Sequence, residues 1–450
     1  MKSWVTTSDQ QHLFAAQPDI PFATDTSPRD TILVDETQRY QPIRGFGASL
    51  TDSAAWLIAH TLSAEQRDAL LHRLFDAQTG IGLNVLRLPM GACDLNRPEG
   101  GNYSYDDVPP GQTDPDMRHF SIEHDEAYSI PVLTQIRQIN PHLQIIASPW
   151  SAPAWMKAND SLEQGRLLPE YYAAYAHYFV TFLQAYQAHG IPVTAITMQN
   201  EPKHIHVGYP GMTMLPEEQA AFIKGFLGPA FVRNGIPTQI LIYDHNWDDP
   251  LFPETVLRDP DAARYVSGIA WHWYGGDVSA QSRVHDLFPE QETYVTEASG
   301  GEWEGEPNWP IGLANGGKLL IEAMRHWAGT VLRWGLALDT HNGPHMGRGD
   351  ACTQCRGVVT IDQATGEAAN TADFSSLAHA STFLQPGAYR IASNSDSDGI
   401  IDVAWVNPDG AKVLLVANTR NDPRPVSIHW RGQTATTSLP GGALATYLWI

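Results

Sequence analysis

Ile196-Thr197-Met198-Gln199-Asn200-Glu201-Pro202 and Tyr294-Val295-Thr296-Glu297-Ala298 are short, largely apolar runs that each lead into a glutamate. Runs of this length and texture read as strands buried on both faces of a parallel sheet. Working outward from them, comparable runs recur with helical patterns between. They are Arg44–Leu50, Leu83–Leu88, Gln144–Ser148, the run ending at Glu201, Ile240–Tyr243, Ser267–His272, the run ending at Glu297, and Val331–Leu338. That is the strand number of a (β/α)8 barrel, whose C-terminal rim carries the chemistry. A helix is expected from Ser53, and Ser63 is a good N-cap for the next, before Ala64-Glu65-Gln66.

From about Phe383 the texture changes. Ile400–Val406, Lys412–Asn418, Val426–Trp430 and Ala443–Trp449 read as short strands, separated by turns such as Pro408-Asp409-Gly410 and Pro440-Gly441-Gly442. The N-terminal runs Trp4-Val5 and Thr31–Val34 precede the first barrel strand and are placed in the same layer. The expected fold class is therefore α/β: a (β/α)8 barrel with an associated antiparallel β-sandwich formed by both chain termini. The expected domains are residues 1–42 as N-terminal sandwich strands, 43–380 as the barrel and 381–450 as the C-terminal sandwich.

Composition narrows the function classes. The 450 residues suffice for one barrel and a smaller module, and 42% hydrophobic against 17% charged residues is enough for a sizeable core. A formal charge of −22 argues against nucleic acid or an anionic membrane as partner. The 14 Trp, 16 Tyr and 14 Phe exceed what a core of this size needs, and such rings stack on the apolar faces of sugars. No run approaches the roughly 20 apolar residues of a membrane span, so no stable membrane insertion is expected. Met1–Thr7 has no apolar h-region, so the chain reads as cytoplasmic, or as secreted with its leader removed.

Two carboxylates facing one another across a pocket are what hydrolysis of a sugar acetal needs. On strands four and seven, Glu201 and Glu297 are the catalytic candidates. The others lie at further strand ends. Arg87 can hold a carboxylate ionised, and Asn200 can hydrogen-bond a sugar 2-hydroxyl. Asp94 can accept from sugar hydroxyls, Trp150 and Trp334 can wall a pyranose ring, and His272-Trp273-Tyr274 places a tyrosine hydroxyl near the nucleophile.

Several of these stretches together resemble glycoside hydrolase family 30. They are Gly45–Asp52, Leu86–Met90, Ser148–Lys157, Asn200-Glu201-Pro202, His272-Trp273-Tyr274 and the closing Thr446–Trp449. The resemblance implies a barrel with a β-sandwich from both termini, and retention of anomeric configuration. By it Glu201 is the acid/base and Glu297 the nucleophile. Asp94, Trp150, Asn200 and Trp334 line the −1 subsite, with Tyr209 and Tyr274 around the carboxylates. Leu332-Arg333 stands where the glucosylceramide-cleaving members carry a Thr-Asp pair. The loop 343–357 looks more like bacterial members and the β-1,6-glucan-cleaving branch.

The resulting expectation is a retaining β-glycoside hydrolase acting on a carbohydrate, a β-glucoside or β-glucan, with no metal or organic cofactor. A xylose-accepting specificity is the alternative within the family. Two other classes remain to be weighed: a metal-dependent hydrolase using His204, His206, His245 and His272, and a non-catalytic carbohydrate-binding protein. Cys352-Thr353-Gln354-Cys355 in its Gly-rich loop reads as a tight disulfide or as two plain thiols, and Cys93 as a small core residue.

Overall fold

In the computed structural model, residues 1–24, 31–306, 308–394 and 399–450 are described, so Pro307 lies outside them. Eight parallel strands close a barrel: β1 (Gly45–Ser49), β2 (Val85–Met90), β3 (Gln144–Pro149), β4 (Ala195–Thr197), β5 (Gln239–Trp247), β6 (Val266–Gly276), β7 (Glu292–Glu297) and β8 (Ala328–Arg333). Neighbours in sequence are neighbours in space, and β8 closes on β1 through Thr330 opposite Gly45 and Arg333 opposite Ala48. Helices fill the crossovers. The one at Ala64–Phe75 has the expected N-cap Ser63, which forms a capping box: its hydroxyl accepts from Gln66 N–H while Gln66 Oε1 accepts from Ser63 N–H.

Side chains two apart on a strand face the same way, so the barrel interior is built in layers. The lower layer is apolar: Val85, Ile146, Ala195, Leu241, Ala270, Tyr294 and Leu332 pack together, one from each strand β2 to β8. Two residues further along β2, β3, β4, β6 and β7 stand Arg87, Ser148, Thr197, His272 and Thr296, all buried and polar. The alternation that seals the bottom of the barrel therefore also delivers a polar floor to its C-terminal mouth.

Strand eight differs from expectation. The apolar run Val331–Leu338 is not one strand: the barrel keeps Ala328–Arg333, and Gly335–Asp339 joins a second, three-stranded sheet with Gly357–Ile361 and Ala368–Asn370. The break falls at Trp334, whose N–H turns to donate to Ala298 O at 2.9 Å. Hydrophobicity continues unbroken through a change of hydrogen-bond partner, so it could not mark the break.

Both termini meet in a ten-stranded sheet. Lys2–Thr6 pairs with Leu444–Trp449, and Ile32–Pro42 with Tyr389–Asn394. The pairings are antiparallel except that Arg424–Trp430 runs parallel to Ile32–Pro42. The helix Ala372–Ser381 ties this sheet to the barrel. Its buried His379 bonds Thr446 Oγ1 at 2.9 Å and Thr6 Oγ1 at 2.8 Å. Among the described residues no helix is long and apolar enough to cross a membrane.

Candidate active site

Asp244 organises the polar floor. Its fully buried carboxylate accepts from Arg87 Nη2 (2.9 Å), Ser148 Oγ (2.6 Å) and Thr197 Oγ1 (2.7 Å) on one oxygen. The other oxygen accepts from His272 Nε2 (3.0 Å) and Thr296 Oγ1 (2.7 Å). Five strands thus donate to one side chain on a sixth. Burial alone would raise its pKa, but the Arg87 charge and the His272 and Ser148 hydrogen bonds hold it well below the usual carboxylate range.

Asp244 was not among the residues singled out from sequence. Alternation from Leu241 points Tyr243 inward. Instead the register between β5 and β6 slips between Ala270 and Trp271, and Tyr243 and Asp244 both take positive φ (74° and 64°). The slip turns Tyr243 out into the packing around the barrel and Asp244 in. A bulge beside a site re-aims a side chain in this way.

The two glutamates sit above this floor. Glu297 ends β7. Its Oε2 accepts from Arg87 Nη1 at 2.5 Å and its Oε1 from Tyr274 Oη at 3.0 Å. Glu201 lies beyond β4 with φ +45°, a backbone state uncommon for a residue with a Cβ, and its N–H donates to Asp244 O at 3.0 Å. One imidazole bridges the pair: His272 Nδ1 is 3.2 Å from Glu201 Oε1 and 4.0 Å from Glu297 Oε1. A carboxylate oxygen of each glutamate and a His272 nitrogen lie within 4.8 Å of one another. His272 is fully buried beneath both acids.

The remaining sequence candidates converge on the same place. Asn200 Oδ1 accepts from Arg87 Nη2 at 2.7 Å. Trp150 and Trp334 stack with centroids 5.0 Å apart, and the Arg87 guanidinium lies 4.9 and 5.6 Å from their rings. Cys93, the neighbour of Asp94, shares their apolar cluster with Tyr209. Asp94 is pushed up to about 7, by burial first and then by the Glu297 charge. Tyr209 Oη contacts His206 Nδ1 at 2.7 Å. His206 Nε2 and His245 Nε2 stand 4.0 and 3.9 Å from Glu201 oxygens, and burial pushes both imidazoles down to about 4.

Protonation follows from this packing. Burial would lower His272, but the Glu297, Asp244 and Glu201 carboxylates raise it to about 9. Burial would raise Glu201, but the His272 hydrogen bond and the surrounding imidazoles hold it low. Burial raises Glu297, with the Glu201 charge adding to this while His272 and Arg87 oppose it. The proton of this pair therefore rests on His272, and Glu201, 3.2 Å away, is ionised. Once that proton sits on Glu201, its push on Glu297 disappears. A histidine raised on folding stabilises fully below its ordinary pKa of about 6.5, and that contribution is lost as pH rises through about 9. Thermal melts from pH 6 to 10 are expected to show this loss.

Cys352 and Cys355 form a disulfide. It lies in a loop tied to three rim segments. Cys352 N–H donates to Asp94 Oδ2 (3.2 Å), Val207 N–H to Asp350 Oδ1 (2.8 Å), and Arg356 N–H to Gly300 O (2.8 Å). Cys355 is buried in the cluster of Trp150 and Trp334. Reduction, or Cys352→Ser with Cys355→Ser, is expected to raise KM several-fold with a smaller change in kcat, because the loop that holds Asp94 loosens. Steady-state kinetics with and without dithiothreitol test this.

Comparison with known proteins places the chain in a family. Residues 43–384 match the glycosyl hydrolase family 30 TIM-barrel domain, and residues 387–447 match the glycosyl hydrolase family 30 beta sandwich domain. The chain is 35% identical over 402 residues to an endo-1,6-beta-D-glucanase of Neurospora crassa, covering 86% of this chain and 81% of that protein. It is 32% identical over 436 residues to the lysosomal acid glucosylceramidase of Mus musculus, covering 92% and 82%. The solved structure of an endo-beta1,6-glucanase superposes with a TM-score of 0.91 at 28% identity, covering 100% of this chain and 99% of that one.

Proposed function

Since the chain belongs to glycosyl hydrolase family 30, we propose that it is a retaining endo-β-1,6-glucanase with Glu297 as nucleophile and Glu201 as acid/base. The carrying observation is the closeness of the two acids, with carboxylate oxygens within 4.8 Å. Retaining enzymes hold the pair about 5–5.5 Å apart, whereas inverting ones leave roughly 6.5–9.5 Å for a water. The β-1,6-glucan preference is supported by the fungal relatives and by a leaving-group side of imidazoles and carboxylates. That lining suits a hydroxylated leaving group better than a lipid.

In the first step Glu297, oriented by Arg87 and Tyr274, attacks the anomeric carbon. Glu201 takes the proton of His272 Nδ1 across their 3.2 Å contact and passes it to the departing oxygen. In the second step Glu201 takes a proton from water, which releases the sugar from Glu297 with its configuration retained. Asp244 keeps His272 aimed by accepting from Nε2, so that Nδ1 always faces Glu201. Asp94, Trp150, Trp334 and Asn200 hold the −1 sugar.

Glu201→Gln is expected to lower kcat/KM about 10²–10⁴-fold on β-1,6-linked glucan and much less on an aryl β-glucoside with a good leaving group. The alkaline limb of the wild-type pH profile is expected near pH 9, where His272 loses its proton. The assignment is tested on pustulan, gentiobiose, glucosylceramide, xylan oligosaccharides and an aryl β-glucoside. The expected outcome is release of gluco-oligosaccharides from pustulan, with the β-anomer first by NMR. Preference for xylan or glucosylceramide, or α-anomer first, overturns it.

A further inference from the structure

Three imidazoles and a carboxylate around Glu201 do more than the hydrolytic steps require. His206 Nε2 is buried, points to Glu201 Oε2 across 4.0 Å, and has no hydrogen-bond partner among the described residues. The ring cannot turn away. A side chain at Gly211 would meet it at 2.5 Å, and Tyr209 Oη holds Nδ1 at 2.7 Å. His204 lies beside it, ring centroids 4.4 Å apart, and donates from Nε2 to Asp350 Oδ2 at 2.8 Å. One ligand atom from each of Glu201, His204 and His206 lies within 4.8 Å of the other two.

We propose that Glu201, His204 and His206 form a binding site for a divalent transition-metal ion of the zinc class, and that the bound ion inhibits the enzyme. A gap of 4.0 Å between a nitrogen and a carboxylate oxygen is too long for a hydrogen bond. Tetrahedral ligation would draw the ligand atoms to about 3.3 Å. The His204 side chain, 43% exposed, is the one able to swing inward. Each histidine would have its other nitrogen bonded as metal-bound imidazoles require: His206 Nδ1–H to Tyr209 Oη, and His204 to the Asp350 carboxylate. The mixed nitrogen and oxygen set favours zinc over magnesium or calcium.

Inhibition follows because a metal-bound Glu201 cannot carry a proton to the leaving oxygen. That consequence rests on Glu201 being the acid; the binding does not. Titration calorimetry of the full chain with zinc chloride, beside magnesium chloride, reads binding directly. Hydrolysis of pustulan with and without zinc reads the consequence. The expected result is one zinc per chain, no magnesium binding, and activity that falls with occupancy and returns on adding EDTA. His206→Ala is expected to lose at least 100-fold in zinc affinity. His204→Ala, at an exposed position that spares the fold, should lose a comparable amount, and Asp350→Ala about tenfold. Equal zinc affinity in wild type and both histidine variants, or no binding, overturns the site. Zinc that binds through these histidines yet leaves hydrolysis unchanged overturns the inhibitory role, while Glu201 as the acid stands or falls separately on the Glu201→Gln rates.

Discussion

Glu297→Gln is expected to reduce hydrolysis of both pustulan and aryl β-glucosides by about 10⁶-fold, the scale seen when a hydrolase loses its nucleophile. The amide keeps the volume of the carboxylate, so packing changes little, but it cannot form the glycosyl ester. A good leaving group does not help, because the missing bond is the one to the anomeric carbon. This separates Glu297 from Glu201, whose loss an activated leaving group should partly rescue. Intact-protein mass spectrometry gives a second readout. Glu201→Gln mixed with an activated glucoside should accumulate a protein heavier by one glycosyl unit, and adding Glu297→Gln should abolish that species. The substitution also removes the charge that helps hold Asp94 near 7, so the Asp94 pKa should fall. If Glu297→Gln retained more than a hundredth of wild-type kcat, the nucleophile would have to be sought elsewhere.

Asp244→Ala is expected to combine the largest loss of stability with a large loss of rate. Its removal leaves the Arg87 guanidinium and the raised His272 imidazole buried without their shared counter-charge, and strips Ser148, Thr197 and Thr296 of an acceptor. Breaking a buried pair by deleting one partner costs about 3–5 kcal/mol. The unfolding free energy in urea should fall by that amount at pH 7. Activity should fall at temperatures where the variant is still folded, because His272 loses both the acceptor that sets its ring and a charge that keeps it protonated. The alkaline limb of the pH profile should move to lower pH, since Asp244 is one of the carboxylates that raises His272. A variant with unchanged stability and an unchanged alkaline limb would contradict this role.

What the amino-acid sequence determined by itself was whatever depends on short-range pattern. Apolar runs located the barrel strands, Ser63 marked a helix start, and glutamates at the ends of two such runs marked the acids. Arg87, Trp150, Asn200 and Tyr274 were legible because they stand near the C-terminal ends of their runs, where a barrel has its rim, whereas Trp334 was named as a ring wall although its apolar run hid the strand end beside it. Only the tertiary structure decided what depends on a partner far along the chain. The run Val331–Leu338 divides because Trp334 bonds Ala298, which no local pattern announces. The strand Tyr389–Asn394 went unread because its pairing with Ile32–Pro42 spans most of the chain. Cys352 and Cys355 could be thiols or a disulfide until the loop was folded. Asp244 was hidden most deeply. A register slip between β5 and β6 reverses its direction, and its importance lies in five donors from five other strands. Alternation along one strand is a local property of the backbone, whereas the charge balance at the centre of a barrel is a sum over all the strands that close it.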